Sequence, residues 1–303
     1  MKIFMTGGTG FVGSRLASAL AGEGHEIHVL SRSPRSPGDR SGAVSFIQGD
    51  PACPGAWQDE VRACDAAINL AGTTIFKRWT KKRKREILES RVEATRNLVD
   101  AIEPGRILIS ASAVGYYGAR GEEELGEDAA AGEGFLAEIA SAWEREAERA
   151  ESKGARVAVL RFGIVLGNGG GALSNWIPLF KAGLGGRLGD GRQWFSWIQA
   201  DDVVGAVGFI LANPGIQGPV NVCSPNPVRN ADLAKALGKA LHRPAFFAVP
   251  GFAVRIVLGE FAGSVLTGQR VLPRKLAEKG FVFCYPEILP ALRASVRDRR
   301  VSA

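Results

Sequence analysis

Short apolar segments alternate with amphipathic ones along the first three quarters of the chain. The first, KIFMT at residues 2–6, has the length of a buried strand, and Val12, Leu16 and Leu20 then recur at the i, i+4, i+8 spacing of one helix face. The same patterns predict strands in EIHVLSR, AVSFIQGD, AAINLAG, ILISASA, RVAVLRFGIVLG and GPVNVCS, and helices over residues 80–102 and 134–152. Strands that alternate with helices in this way predict an α/β fold with a doubly wound parallel sheet.

The alternation of predicted strands and helices stops after residue 167. Gly-rich segments such as NGGGAL and AGLGGRLGDGRQ follow, as expected of loops over a site, and residues 225–303 are rich in helical patterns. We therefore predict a first domain over residues 1–167, completed by about 196–224. Residues 168–195 and 225–303 are predicted to form the loops beside the site and a small, mostly helical C-terminal lobe.

A glycine motif, TGGTGFVG, joins the first predicted strand to the first predicted helix. In such a turn one glycine makes the bend, one lets backbone approach a pyrophosphate and one lets helix and strand pack closely. The phosphates then lie at the helix N-terminus. The motif predicts a Rossmann-like dinucleotide site with contacts from Thr6, Gly7, Gly10, Phe11, Val12 and Gly13.

The end of the second predicted strand indicates which dinucleotide binds. An NAD site places Asp or Glu there, to accept from the ribose 2′-OH. Here the strand ends at Ser31-Arg32 with Arg35 nearby, and arginine pairs with a 2′-phosphate through charge-assisted hydrogen bonds. We therefore predict NADP as the cofactor. Asp50, after the third strand, either accepts from the adenine amino group or belongs to a plain turn.

Charge and residue counts narrow the classes of partner. A net charge of +7 and a pI near 9.4 favour anionic ligands or surfaces in general. The four cysteines and three histidines show none of the spacings of metal ligands, so we expect a cytoplasmic protein with reduced thiols and no metal. Because the first predicted strand begins at Lys2, we expect no signal peptide. Pro250, Arg255 and Glu260 interrupt the most apolar late stretch, so we expect no membrane partner.

The run KRWTKKRKR at residues 77–85 contains seven cations and a tryptophan. Basic patches with aromatic residues can bind nucleic acid, but no second basic stripe accompanies this one, and Glu86 and Glu89 can pair with Lys82 and Arg85. A solvated helix face is the simplest interpretation, and nucleic acid is an unlikely partner. Alternatively, because the run follows the fourth strand, Arg78 and Trp79 could frame an anionic small-molecule substrate.

Five motifs occur in a characteristic order: TGGTGFVG, NLAG, SASAVGYYG, LRFGIVLG and WIQADDV. In this order they resemble an extended short-chain dehydrogenase/reductase of the NAD-dependent epimerase/dehydratase superfamily. KRWTKKRK, GEGFLAEIASAWE, GGRLGDGRQWFSWI and LPRKLAEKGFVF narrow the resemblance to the atypical "epimerase family protein" branch, which has a C-terminal domain of unknown function and no settled substrate. That branch usually has histidine where this chain has Gln199.

The resemblance implies further site residues. Cofactor contacts are expected after the fourth, fifth and sixth strands, at Leu70, Ala71, Gly72, Ser110, Arg161 and Gly163. The loops rich in glycine and tryptophan imply substrate-side positions at Arg78, Trp79, Trp176, Arg192 and Trp197.

The catalytic residues of the superfamily are a serine or threonine after the fifth strand and a Tyr-xxx-Lys pair on the next helix. Ser112 matches the serine, but Phe135 and Ile139 occupy the positions of the tyrosine and lysine. In one interpretation Ser112 acts with Tyr116 or Tyr117 to polarise a substrate oxygen, which requires a cation to lower the tyrosine pKa. In the other, Ser112 only contacts the nicotinamide ribose and the tyrosines wall the pocket.

Two functions follow from this inventory. The first is an NADP(H)-dependent oxidoreductase or epimerase-like enzyme acting on an unidentified small molecule, favoured by Ser112 and the elaborate loops. The second is a catalytically weak NADP(H)-binding protein with a sensing or regulatory role, favoured by Phe135 and Ile139.

Overall fold

A parallel sheet of seven strands lies at the centre of the computed structural model, which describes residues 1–34 and 42–296. Its strand order is β12-β7-β5-β4-β1-β2-β3. Over the described residues the strands are β1 (Lys2–Thr6), β2 (Glu26–Ser31), β3 (Val44–Gln48), β4 (Ala66–Asn69), β5 (Ile107–Ala113), β6 (Glu124–Leu125), β7 (Arg156–Phe162), β8 (Ile164–Leu166), β9 (Gly186–Leu188), β10 (Trp194–Phe195), β11 (Trp197–Gln199), β12 (Gly218–Val222), β13 (Val228–Arg229), β14 (Phe247–Val249) and β15 (Arg270–Val271).

Helices cover both faces of this sheet and make up most of the C-terminal lobe. They are α1 (Phe11–Gly22), α2 (Trp57–Ala63), α3 (Lys81–Ala101), α4 (Phe135–Glu148), α5 (Leu173–Lys181), α6 (Ala200–Ala212), α7 (Asn230–Leu241), α8 (Gly251–Leu258), α9 (Phe261–Leu266), α10 (Arg274–Glu278) and α11 (Ile288–Val296). The predicted Rossmann-like α/β fold with a mostly helical lobe is confirmed.

Each face of the sheet has its own apolar core. On one face, Leu16 and Leu20 of α1 pack with Val203 and Ile210 of α6. On the other, residues of α2, α3 and α4 pack against alternate strand residues such as Phe4 and Leu108. Strand side chains alternate between the two faces of the sheet, and helices cover both faces. The side chains on both faces are therefore buried, so these strands are continuous apolar runs in the sequence.

Two predicted elements differ from the structure: one strand is divided into two, and one helix ends earlier. The sixth predicted strand is two strands, because the N–H of Gly163 bonds to Val222 of the sheet whereas the N–H of Ile164 bonds to Ser196. Pairing thereby passes from the main sheet to β11. The helix predicted over residues 134–152 ends at Glu148, and a 3-10 turn at Glu151–Lys153 with Gly154 at φ 82° follows it.

A third core lies outside the sheet and joins the middle loops to the C-terminal lobe. Leu173 and Phe180 of α5 and Trp197 of β11 pack with α7 and α11. Asp202 on α6 fastens the following segment, since its carboxylate accepts from the N–H groups of Cys284 and Tyr285 at 2.7 and 3.0 Å. The domain boundaries near residues 167, 196 and 224 stay a prediction.

Two searches of the described residues bear on partners. Over residues 1–34 and 42–296, no helix has the length and apolar character needed to cross a membrane. Within the same ranges, no group of three or more His, Cys, Asp or Glu side chains could hold a metal ion.

Candidate cofactor site

The turn between β1 and α1 requires its glycines. Gly7 has φ +67°, and a Cβ there would lie 2.5 Å from the carbonyl oxygen of Leu70. A Cβ on Gly13 would lie 2.2 Å from the carbonyl oxygen of Gly7. Gly10 begins α1 without a side-chain cap, and the first turn contains no acid. The free N–H groups at this end of α1 are therefore open to an anion.

Buried hydroxyls hold the strand ends beneath this turn. The Thr6 hydroxyl donates to Asn69 Oδ1 at 2.7 Å, and Asn69 Nδ2 donates to the hydroxyls of Thr95 at 2.7 Å and Ser110 at 3.2 Å. Thr6, Asn69 and Ser110 are fully buried. Thr6 and Ser110, expected to contact the cofactor, thus have side chains that hold β1, β4 and β5 together.

At the end of β2, the side chain of Ser31 is buried and that of Arg32 is exposed. The Ser31 hydroxyl donates to the carbonyl oxygen of Ser33 at 2.9 Å, and Arg32 is exposed. Arg35 lies outside the described residues. Asp50 is exposed and accepts from the N–H of Ala52 at 3.0 Å, as an aspartate in a plain turn does.

A cavity of about 250 Å³ opens beside Ser112, between the glycine turn and α4. Most side chains on its walls are apolar, and the polar ones are Ser112 and Arg91. The apolar walls include Val12, Leu70, Leu136, Ile139, Trp143 and Phe162. Of the predicted cofactor contacts, the cavity therefore brings together Val12 and Leu70 with Ser112.

The Ser112 hydroxyl is already engaged within the protein. Ser112 is 3% exposed, and its hydroxyl donates to Glu144 Oε1 at 2.6 Å. Glu144 in turn holds Arg161 through two parallel bonds of 2.9 and 2.8 Å. Burial alone would lower the pKa of Arg161, but the hydrogen bonds and charge of Glu144 raise it, so the guanidinium stays charged. Ser112 is thus one end of a buried ionic cluster.

Arg161 was expected to contact the cofactor, but the structure directs its guanidinium into this cluster. Its partners are Glu144, the Tyr117 hydroxyl and the carbonyl oxygen of Glu127. Gly163, another expected contact, lies against Ser196 and Cys223.

The two tyrosines of SASAVGYYG belong to the same cluster. Tyr117 is fully buried; its hydroxyl donates to Asn221 Oδ1 at 2.7 Å and accepts from Arg161 at 2.8 Å. Burial raises the pKa of Tyr117 to about 12 although Arg161 opposes the shift. The Tyr116 ring lies 3.5 Å beneath the Arg161 guanidinium. Among the described residues that line the cavity, neither tyrosine is present.

Arg91 is a cavity residue that the sequence reasoning missed. Its guanidinium donates to the carbonyl oxygens of Ile87 and Thr73, both at 3.0 Å, and lies 5.2 Å from the Trp143 ring centroid. A Cβ on Gly72 would lie 3.0 Å from its Cζ. Burial lowers the pKa of Arg91 to about 10, and over the described residues it forms no ion pair. One signal was available, because Arg91 lies four residues after the buried Ile87 and four before the buried Thr95, which places it on the inner side of α3.

Helix α4 presents packing side chains at the positions matched to Tyr-xxx-Lys. Its sequence, FLAEIASAWEREAE, contains neither tyrosine nor lysine. Ile139 lines the cavity. Phe135 packs edge-on against Trp79 at 5.0 Å, with the Lys84 ammonium 4.7 Å from its ring.

The predicted substrate-side residues do not share one surface. Trp79 is buried against Phe261, whereas Arg78 is exposed. Trp176 is half-buried against Phe195, and Arg192 is exposed. Trp197 is fully buried in the third core, with its indole N–H on the carbonyl oxygen of Asn226, so it offers no surface to a substrate.

Several cations of the basic run have internal partners. Arg83 bonds to Glu86 and to the loop carbonyl of Thr74, Lys84 pairs with Glu260 of the C-terminal lobe at 2.9 Å, and Arg85 pairs with Glu89 as predicted. The run begins α3, whose N-terminus Thr80 caps. Gln199 caps α6 by accepting from the N–H of Asp201.

Sheet and glycine turn together define a Rossmann-type nucleotide-binding fold. The chain matches the NAD dependent epimerase/dehydratase family over residues 3–223 and a domain of unknown function, DUF1731, over residues 249–295. The chain belongs to the NAD-dependent epimerase/dehydratase family, which confirms the resemblance inferred from its motifs.

Relatives of the same branch match nearly the whole chain. The Arabidopsis thaliana protein "Epimerase family protein SDR39U1 homolog, chloroplastic" is 42% identical over 97% of this chain and 86% of its own length. "Epimerase family protein YfhF" of Bacillus subtilis is 40% identical over 99% of both chains. The crystal structure of human epimerase family protein SDR39U1 with NADPH superposes with a TM-score of 0.84 at 32% identity, covering 97% of this chain and 99% of that one.

Proposed function

We propose that this chain is an NADP(H)-binding protein of the epimerase family with weak or no acid/base catalysis. The glycine turn, the open N-terminus of α1 and the exposed Arg32 at the end of β2 support the cofactor assignment. The human relative crystallised with NADPH supports it further. A side chain at Gly7 or Gly13 would clash with backbone. Close backbone contacts of this kind form the turn that binds a dinucleotide, so the two glycines fit this cofactor.

In this proposal, several residues of the site would each take part in binding. Gly7, Gly10 and Gly13 would admit the pyrophosphate, and Arg32 would pair with the 2′-phosphate. Arg91 would add a cation beneath Gly72 that no carboxylate of the described residues neutralises. The bound cofactor would supply or accept a hydride. The apolar walls beside Ser112 would exclude water from its reactive end.

The observation that carries the weak-catalysis proposal is the hydrogen bond from Ser112 to Glu144. It engages the proton of Ser112, which is the one hydroxyl side chain among the described residues that line the cavity. Tyr117 holds its own proton up to a pKa of about 12, and α4 supplies no tyrosine or lysine. General acid–base help is worth about 10²–10⁴-fold in rate, so its absence predicts slow turnover. A sensing or regulatory role for the bound cofactor fits this geometry.

The test measures binding and turnover on the same purified protein. We expect NADPH to bind more tightly than NADH by fluorescence titration. We expect NADPH consumption with aldehydes, ketones and quinones, and epimerisation of UDP-galactose, to stay far below about 10 per second, the typical enzyme rate. Turnover at that typical rate with any of these compounds would contradict the proposal.

A second candidate is an oxidoreductase that uses Ser112, favoured by the position of Ser112 on the cavity wall. In this candidate Ser112 Oγ accepts a proton from a substrate hydroxyl while its own proton passes to Glu144 Oε1. Ser112→Ala should then lower kcat about 10²-fold or more. NADPH affinity should stay within about threefold, because one neutral hydrogen bond contributes about 1 kcal/mol. Cytoplasmic location stays a prediction under both candidates.

A further inference from the structure

A surface of the C-terminal lobe and the adjoining loops exposes large apolar side chains beside cations. In helix α8, Phe252 is 68% exposed, and Ile256 and Val257 are each 70% exposed. Just before it, Phe246 is 90% exposed and Phe247 53%. We call this surface the apolar–cationic face; its residues are Phe246, Phe247, Phe252, Ile256 and Val257 with Lys181, Arg187, Arg243 and Arg255.

Helix α8 is apolar on the side that packs and on the side that faces outward. Its sequence is GFAVRIVL, in which Arg255 is the one polar residue. Val254 is buried against the lobe, whereas Phe252 and Ile256, one turn apart, point outward. A helix that is apolar all round is ordinarily covered. The outward side of α8 therefore needs an apolar partner.

The two segments that carry these side chains contain cations and no acids. Residues 233–259 contain no Asp or Glu, and neither do residues 169–189. These two stretches adjoin, because β14 pairs with β9 and sets Phe247 opposite Gly186. Within the described part of the chain, none of the ion pairs involves Lys181, Arg187, Arg243 or Arg255. The face thus presents uncompensated positive charge beside exposed aromatic and aliphatic groups.

This combination selects among the occupants that could cover the face. A second copy related by a twofold axis would place the same patch on itself, so cations would meet cations with no acid to pair. A nucleic acid would pair with the arginines but leave Ile256 and Val257 against phosphates. An anionic lipid surface accepts apolar side chains among its acyl chains and cations at its headgroups.

We propose that the apolar–cationic face docks on a lipid bilayer that contains anionic headgroups. The contact is peripheral, since no described helix spans a membrane. It departs from the expectation from sequence that no membrane takes part. The proposal is independent of the cofactor assignment, because none of these residues lines the cavity beside Ser112.

The test is cosedimentation of the full-length protein with unilamellar vesicles. We expect binding to phosphatidylcholine vesicles of which about a third of the lipid is phosphatidylglycerol, and weak binding to vesicles of pure phosphatidylcholine. High salt should abolish the binding. Phe252→Ser with Ile256→Ser should weaken binding by about tenfold or more through lost apolar burial. Arg243→Ala and Arg255→Ala should each weaken it by about fivefold.

Val282→Ser is the matched control. Val282 is 82% exposed, but its neighbours Phe281 and Phe283 pack against the first core and it is not part of the apolar–cationic face, so the vesicle binding of this variant should equal that of the native protein. Thermal unfolding by circular dichroism confirms that each variant is folded. Native protein that ignores anionic vesicles, or binds both vesicle types equally, overturns the proposal. So does light scattering that shows a dimer which Phe252→Ser with Ile256→Ser converts to a monomer.

Discussion

At the scale of single residues, the structure separates charges that hold the protein together from charges that are free to bind. Glu144 and Arg161 are 4% and 3% exposed and satisfy each other through two bonds. A buried pair of this kind repays its desolvation only when its geometry is good and its remaining groups are bonded. Ser112 and Tyr117 supply those remaining bonds. Arg32, by contrast, is exposed at the predicted 2′-phosphate position.

Arg32→Ala tests that position. A lost charge-assisted contact to phosphate costs on the order of 1.5–3 kcal/mol, so NADPH affinity should fall about ten- to a hundredfold. NADH, which has no 2′-phosphate, should bind as before. Fluorescence titration with both cofactors measures this, with the exposed Arg62 changed to alanine as the control. Equal weakening of NADPH and NADH would show that Arg32 does not select the cofactor.

Tyr117 makes stability depend on pH in the alkaline range. Its pKa in the folded protein is about 12, whereas an unfolded tyrosine titrates near 10. Between about pH 10 and 12 the folded state keeps a proton that the unfolded chain releases, so stability falls as pH rises through this window. Urea unfolding at several pH values should show a shallower fall in Tyr117→Phe. At neutral pH the same variant should lose about 1–3 kcal/mol, because Asn221 and Arg161 lose a buried partner.

At the scale of elements, the glycine turn depends on close approach between backbone segments. At Gly13, the first turn of α1 packs on the loop after β1. At Gly7, that same loop packs against the loop after β4. Neither contact leaves room for a methyl group. The binding turn and the packing of α1 against the sheet are therefore the same structural feature.

Gly13→Ala should damage folding and binding together. Its Cβ would lie 2.2 Å from a backbone oxygen, and overpacking typically costs about 1–3 kcal/mol. Gly22→Ala is the control, since nothing lies within 4 Å of a Cβ at that helix end; its stability should change by less than about 1 kcal/mol. Urea unfolding and NADPH titration of both variants decide the point, and equal stability would refute the close-contact argument.

The sequence predicted the strands and helices of the sheet better than the buried ionic cluster around Arg161. The seven strands of the sheet and helices α1, α3 and α4 follow from local apolar patterns, and the glycine turn from local spacing. The burial of Tyr117 depends on Asn221 and Arg161, which are distant along the chain, so no local pattern could reveal it. Glu144 did leave a signal: it stands in a buried stripe of α4 with Ala137, Ala140 and Ala147. A lone acid in such a stripe indicates a buried partner.

At the scale of the whole molecule, Asp202 ties the C-terminal segment to helix α6. It is 1% exposed and accepts from the N–H groups of Cys284 and Tyr285. Helix α11, which follows, packs on α7 in the third core. One carboxylate thus orients the end of the described chain against helix α6.

Asp202→Ala should loosen this attachment. The partly buried N–H groups of Cys284 and Tyr285 would lose a charged acceptor, at a cost of about 1.5–3 kcal/mol each. Hydrogen exchange should quicken at residues 281–296 while β1, β4 and β5 keep their protection. Asp232→Ala, at an exposed site, is the control and should leave exchange unchanged. Uniform quickening across the sheet would instead indicate global destabilisation.

The order of strands in the sheet also bears on how the chain emerges from the ribosome. β7 ends at Phe162, but β12, which covers its outer edge, begins only at Gly218. At about 5–20 residues per second, synthesis of the intervening segment takes roughly 3–11 s. During that interval β7 presents an apolar, unpaired edge of the kind that recruits other strands. Nascent chains stalled before Gly218 should therefore be held by chaperones, and chains stalled well beyond Val222 should be released.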